Sequence, residues 1–132
     1  MKLDYLVFYV ESIPPILKFY QDAFGFEMKL LHESGEYAEL SASEALTLGF
    51  CTHTLAKTLF EGTYQPLSSD QPSPGLQISI LVEDVASAYH HAIACGAEGL
   101  SPPKVMPWQF EVAFLKDPQG LIVEVCKRLE LV

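Results

Sequence analysis

Glu36-Tyr-Ala-Glu-Leu-Ser-Ala-Ser-Glu-Ala-Leu-Thr-Leu-Gly-Phe-Cys51 aligns without a gap on Glu111-Val-Ala-Phe-Leu-Lys-Asp-Pro-Gln-Gly-Leu-Ile-Val-Glu-Val-Cys126. Glu36/Glu111, Ala38/Ala113, Leu40/Leu115, Leu46/Leu121 and Cys51/Cys126 are identical at a constant offset of 75. Upstream, Val10-Glu11-Ser12-Ile13 returns as Val82-Glu83-Asp84-Val85 at an offset of 72. Ala23-Phe24-Gly25-Phe26-Glu27 returns as Ala94-Cys95-Gly96-Ala97-Glu98 at 71. A repeat of this length marks a duplicated supersecondary unit. It also lets each candidate residue be checked against its mate in the other half.

The local signals inside each copy agree. Leu3 to Val10 is apolar and β-rich and reads as a strand. Ser12 is placed to cap the helix that follows, with Pro14 and Pro15 in its first turn. Ile13, Ile16, Leu17, Tyr20 and Phe24 recur at helical spacing until Gly25 stops the helix. Phe8, Phe19, Tyr20 and Phe24 read as core. Strands are expected at Phe26–Leu31, Glu36–Leu40 and Leu46–Cys51, joined by turns at Ser34-Gly35 and Ala42–Ala45. In the second copy, Leu76–Val82 is a strand and Asp84 a helix cap. Val85, Ala88, Tyr89 and Ala92 form a buried stripe ending at Gly96. A short strand near Lys104–Met106 precedes strands at Glu111–Lys116 and Leu121–Cys126, the last two joined by the turn Asp117-Pro118-Gln119-Gly120. Each half is therefore β-α-β-β-β, and the fold class α+β. Between the halves, Glu61–Gly75 is rich in Pro, Ser and Gly and reads either as a linker or as a lid.

Composition narrows the function. A chain of 132 residues suits one domain, and a half of about 55 residues would be marginal alone. The net charge of −9 argues against nucleic-acid binding, which needs clustered Lys and Arg, and favours attraction of cationic small molecules. No apolar run approaches a membrane span and the N-terminus lacks a secretory layout, so a cytoplasmic location away from membranes is expected. Three cysteines, an odd number without close spacing, argue against a disulfide framework or structural zinc.

The paired module, the Val-Glu-[Ser/Asp] entry to each helix, Phe19-Tyr20, and Asp117-Pro118-Gln119-Gly120 before a strand ending in Glu124 resemble the vicinal oxygen chelate superfamily. This is the glyoxalase, bleomycin-resistance protein and extradiol dioxygenase group, and the resemblance runs from Leu3 to Cys126. It implies one glyoxalase-like domain over residues 1–132, with module one at 1–60, a linker at 61–75 and module two at 76–128. It further implies two curved mixed sheets forming a half-barrel cleft, and a homodimer. Family enzymes hold a divalent metal through a first-strand and a last-strand position of each module. Those positions fall on Gln77 and Glu124, and the offsets map their mates to Tyr5 and Gly49.

That quartet is a poor donor set, because Gly49 has no side chain and a protonated phenol is a weak ligand. No metal or other cofactor is therefore expected, and any divalent ion present would fall to Gln77 and Glu124. The leading expectation is a protein that binds a small organic molecule in the cleft. The alternative is an atypical metal-dependent lyase or isomerase of lactoylglutathione lyase type, with Glu124 as catalytic base. Tyr5, Gly49, Gln77 and Glu124 would line the cleft, joined by Trp108 and Phe110 as stacking residues or core caps. Cys51 and His53 read either as a reactive pair or as a packed thiol beside a solvated ring. His90 and His91 read as solvent-facing, and His32 has no evident partner.

Overall fold

The structure is a computed structural model and describes residues 1–130. Residues 131 and 132, the end of the expected domain, lie outside the described residues. The chain runs β1 (Tyr5–Val10), α1 (Ile13–Phe24), β2 (Glu27–Leu31), β3 (Tyr37–Ser43), β4 (Leu46–Thr52), α2 (His53–Leu59), β5 (Gln77–Leu81), α3 (Val85–Ala94), β6 (Glu98–Met106), β7 (Phe110–Lys116) and β8 (Ile122–Arg128). Two four-stranded sheets result, ordered β1-β4-β3-β2 and β5-β8-β7-β6. In each sheet the first and last strands of the module pair parallel and the other pairs are antiparallel. The fold is α+β, built of two modules, and neither sheet closes into a barrel. Contacts divide the chain into two compact units, Met1–Leu67 and Ser68–Val132.

In the first unit, strand alternation puts Phe8, Val10, Ala38, Leu40, Leu48 and Phe50 on the buried side. Ile13, Ile16, Leu17, Phe19 and Tyr20 of α1 are buried as well. The Tyr20 ring lies 5.0–6.1 Å from those of Phe19, Phe24, Phe26 and Phe50, stacked on Phe26 and edge-on to Phe19, so helix and sheet share one aromatic core. Each fully buried side chain of this size contributes about 1.5–3 kcal/mol. Gly25 ends α1 in the left-handed region at φ 70°.

The expected Ser12 cap does not form. Ser12 has cap dihedrals, but its hydroxyl makes no capping bond. Such a hydroxyl accepts from the second or third helical amide, and here those residues are Pro14 and Pro15, which have no N–H. Asp84, with no proline after it, does cap α3: its carboxylate accepts from the Ser87 amide at 3.0 Å.

In the second unit, Ala113, Leu115, Val123 and Val125 are buried together with Val85, Tyr89 and Ala92 of α3. The strand expected near Lys104–Met106 is longer, reaching back to Glu98. The extension runs through Pro102 and Pro103. They are tolerated because β6 is an edge strand whose register shifts between Ser101 and Lys104. The Asp117–Gly120 turn forms as expected, the buried Asp117 carboxylate accepting from the Gln119 and Leu121 amides at 2.8 and 3.0 Å.

The segment between the repeats is divided. Phe60 and Tyr64 pack on Tyr9, with Tyr64 stacked at 4.8 Å. Residues beyond Leu67 belong to the second unit, where the Lys116 ammonium donates to the Ser69 and Gln71 carbonyls at 3.1 and 2.6 Å. The Ser68 backbone lies so close over Gly120, at φ 105°, that a β-carbon there would collide with it.

Candidate functional site

The repeat offsets reappear as hydrogen-bond register. Tyr5 pairs with Thr47 and Gln77 with Ile122, while Glu39 pairs with Gly49 and Phe114 with Glu124. The positions implied as a ligand quartet therefore occupy matching places, on the sheet face opposite the one that carries Leu40 and Leu48 in the first unit and Leu115 and Val123 in the second. Within the first unit Tyr5 and Gly49 share that face, and within the second Gln77 and Glu124 do so.

Around Tyr5 and Gly49 the face is aromatic and acidic. Tyr37 and Glu39 project from β3 beside them. The Tyr37 hydroxyl donates to Glu39 Oε2 at 2.7 Å and lies close enough to the Tyr5 hydroxyl to interact with it. Burial pushes the Tyr37 phenol well above its ordinary range, and the Glu39 hydrogen bond and charge push it further. It is a neutral donor holding a carboxylate in place. Gly49 has a packing reason: a β-carbon there would lie 3.0 Å from the Tyr37 hydroxyl and 3.2 Å from Val7 Cγ2. Glu39 and Tyr37 were missed from sequence because Glu39 reads as one polar residue in an alternating strand. The available signal was Tyr-x-Glu on a strand opposite a glycine.

The matching face of the second unit is more apolar, with Val112 and Phe114 where the first has Tyr37 and Glu39. The Gln77 amide donates to Ser79 Oγ at 3.0 Å, and Ser79 pairs in register with Glu124. Glu124 is half-buried and interacts with the Cys126 thiol, which burial first and Glu124 second push above its ordinary range. Trp108 sits in the β6–β7 turn, 64 % exposed, so it does not cap the core. Phe110 lies under the Arg128 guanidinium, 5.3 Å from its ring centroid.

The remaining candidates are bound up in packing. Cys51 is buried, and burial raises its thiol as well, which keeps it in the unreactive protonated form. His53 opens α2, which the sequence reading missed, with Thr52 accepting from the Leu55 amide at 3.1 Å. Its Nδ1 lies 2.8 Å from the Tyr64 hydroxyl, so it is a packed ring and not the solvated one expected. His32 has a local partner after all, its Nδ1 lying 2.8 Å from Ser34 Oγ. His90 and His91 are exposed, as expected.

Comparison with known proteins completes this picture. The model of the Glyoxalase/Bleomycin resistance protein/Dioxygenase superfamily matches residues 2–125. The chain belongs to this superfamily. A glyoxalase-related enzyme from Fulvimarina pelagi superposes with a TM-score of 0.81 at 15 % identity, covering 97 % of this chain and 88 % of that one. A family enzyme from Burkholderia phytofirmans PsJN gives 0.78 at 22 % identity, with 98 % and 100 % covered. A glyoxalase/bleomycin resistance protein from Albidiferax ferrireducens T118 gives 0.69 at 21 %, with 96 % and 98 % covered. At these identities the likeness concerns the fold. No curated protein matches the chain in sequence.

The superfamily's divalent metal does not suit these residues. Among the described residues no group of three or more His, Cys, Asp or Glu could hold a metal ion. Of the family positions, Gly49 has no donor and a side chain placed there would displace Tyr37. The Gln77 amide is turned to Ser79. Glu124 is left as the one charged donor of the four, which is insufficient for a Zn-, Mg- or Ni-type sphere. Among the described residues, no helix is long and apolar enough to cross a membrane.

Proposed function

We propose that this superfamily member binds a small organic molecule against the sheet face that carries Tyr5 and Gly49 or the one that carries Gln77 and Glu124, without a conventional metal site. The observation that supports this most is Tyr37 packed against Gly49, its hydroxyl 3.0 Å from where a β-carbon at 49 would stand. The face keeps exposed aromatic surface, with Tyr5 at 45 %, and Trp108 and Phe110 offer rings for stacking in the second unit. A homodimer belongs to the same reading: β2 is an edge strand exposing Met28, Leu30 and Leu31. Sedimentation at micromolar concentration would return a monomer if that part is wrong.

The test is metal dependence. Elemental analysis of the purified protein is expected to find no stoichiometric divalent ion. Chelator and added Ni, Mn, Zn or Mg ions are expected to leave the melting temperature unchanged, since a ligand of the native state must raise it. A rise that Glu124→Ala abolishes would replace this reading with the lyase or isomerase alternative, in which Glu124 acts as base.

A further inference from the structure

We infer that the first unit carries a recognition site for an organic cation, with the Glu39 carboxylate as counter-charge and Tyr5 and Tyr37 beside it. This rests on the small-molecule reading above and names its chemistry. Glu39 is half-buried on β3, and one phenol donor, Tyr37 at 2.7 Å, holds one of its oxygens. Among the described residues no Lys, Arg or His lies within ion-pair distance of it. Lys29, on the neighbouring β2, donates its ammonium to Thr47 Oγ1 at 2.9 Å.

A carboxylate accepts about four hydrogen bonds, and a partly desolvated one without a counter-charge is a standing cost to the fold. An ammonium or guanidinium group would supply both the charge and the missing donors. Tyr5, 45 % exposed, offers a ring face to the same cation. Tyr37 is held neutral, so it anchors the carboxylate without cancelling or adding charge. The net charge of −9 raises the local concentration of cations generally, and Glu39 gives that attraction a fixed point. The second unit lacks this arrangement, having Phe114 at the place of Glu39.

Calorimetric titration of the full chain with benzylamine, benzyl alcohol and benzoate at neutral pH tests the site. Benzylamine is expected to bind about tenfold tighter than benzyl alcohol, the usual gain from a charged hydrogen bond, with benzoate weakest. Glu39→Gln is expected to bring amine and alcohol to parity, whereas Glu44→Gln, in the exposed β3–β4 turn, keeps the preference. The amine affinity of the unsubstituted protein should fall as salt is raised, while that of the alcohol stays level. This second measurement does not depend on the variant folding. Equal amine and alcohol affinities, a salt-independent amine affinity, or a preference surviving in Glu39→Gln overturns the cation site. A parallel thermal-shift screen of neutral and anionic compounds separates the two levels. Hits there without amine preference overturn the cation site alone, and an absence of hits in both experiments overturns the small-molecule reading as well.

Discussion

Two sheet faces with the same backbone plan carry different chemistry. In the first unit the cross-strand pair Glu39–Gly49 puts the carboxylate on β3 and nothing opposite it. In the second, the equivalent pair Phe114–Glu124 puts the carboxylate on β8 and a ring opposite. The acidic group has changed strands between copies. On the other side of the same sheets, Ala38 and Leu40 have identical mates in Ala113 and Leu115, and all are buried. Close packing resists change in volume on that side, whereas the opposite face answers to whatever it contacts. The lesson is that the copies agree where they pack, which on the opposite face means only the buried thiols Cys51 and Cys126, and diverge elsewhere.

That comparison can be broken in graded ways. The largest effect is expected at Gly120, where the Ser68 backbone leaves no room for a side chain and φ is 105°. Gly120→Ala should cost about 3 kcal/mol or more in urea unfolding, while the reciprocal change at its mate, Ala45→Gly, should cost only about 0.4–1 kcal/mol. Equal costs would mean that the strap over Gly120 is not what separates the halves there. Next, Gly49→Leu should destabilise by about 1–3 kcal/mol by pushing Tyr37 off the strand. A neutral result would show that the Tyr37 seat is loose.

Tyr37→Phe removes one hydrogen bond and should cost about 1 kcal/mol. The same phenol has a pH signature. Its folded-state value is raised, so its contribution is complete below the ordinary tyrosine value near 10 and is lost as pH climbs from there towards the folded value. Denaturation midpoints of the unsubstituted protein should decline in that alkaline window more steeply than those of Tyr37→Phe. The smallest effect concerns the helix caps. Asp84→Ala should lower the melting temperature by a few degrees, and Ser12→Ala should leave it unchanged. Hydrogen bonds from Ser87 hold the Asp84 carboxylate below its ordinary range. Its contribution is therefore present above the usual aspartate value, near 4, and disappears as pH falls through the lower folded-state value.

Much of this fold was legible because duplication and alternation report the same thing independently. The offsets of 72 for the first strand and 75 for the last carry the pair Tyr5–Thr47 onto the pair Gln77–Ile122, so β1–β4 and β5–β8 share one register. The failures share a cause: reading a residue without its acceptor or donor. Ser12 was read as a cap without asking whether Pro14 and Pro15 own an N–H. The short strand expected at Lys104–Met106 stopped short of Glu98 because the sequence does not show that β6 lies at an edge, where Pro102 and Pro103 need no ladder partner. The candidate site was half legible. Tyr5 and Gly49 share one face of the first sheet, and Gln77 and Glu124 one face of the second, yet Glu39 and Tyr37 emerged only once register put them beside Gly49. Sequence offsets pair a residue with its copy, and hydrogen bonding across strands pairs it with its neighbour.

The tether of Lys116 to the Ser69 and Gln71 carbonyls separates the genetic repeat from the physical one. The similarity of the halves restarts near Leu76, but a fragment cut there leaves that ammonium without either acceptor and Gly120 without its cover. Anyone dividing this protein to study half of it, or grafting one half onto another scaffold, should cut before Ser68. The strap travels with the second module as part of its architecture.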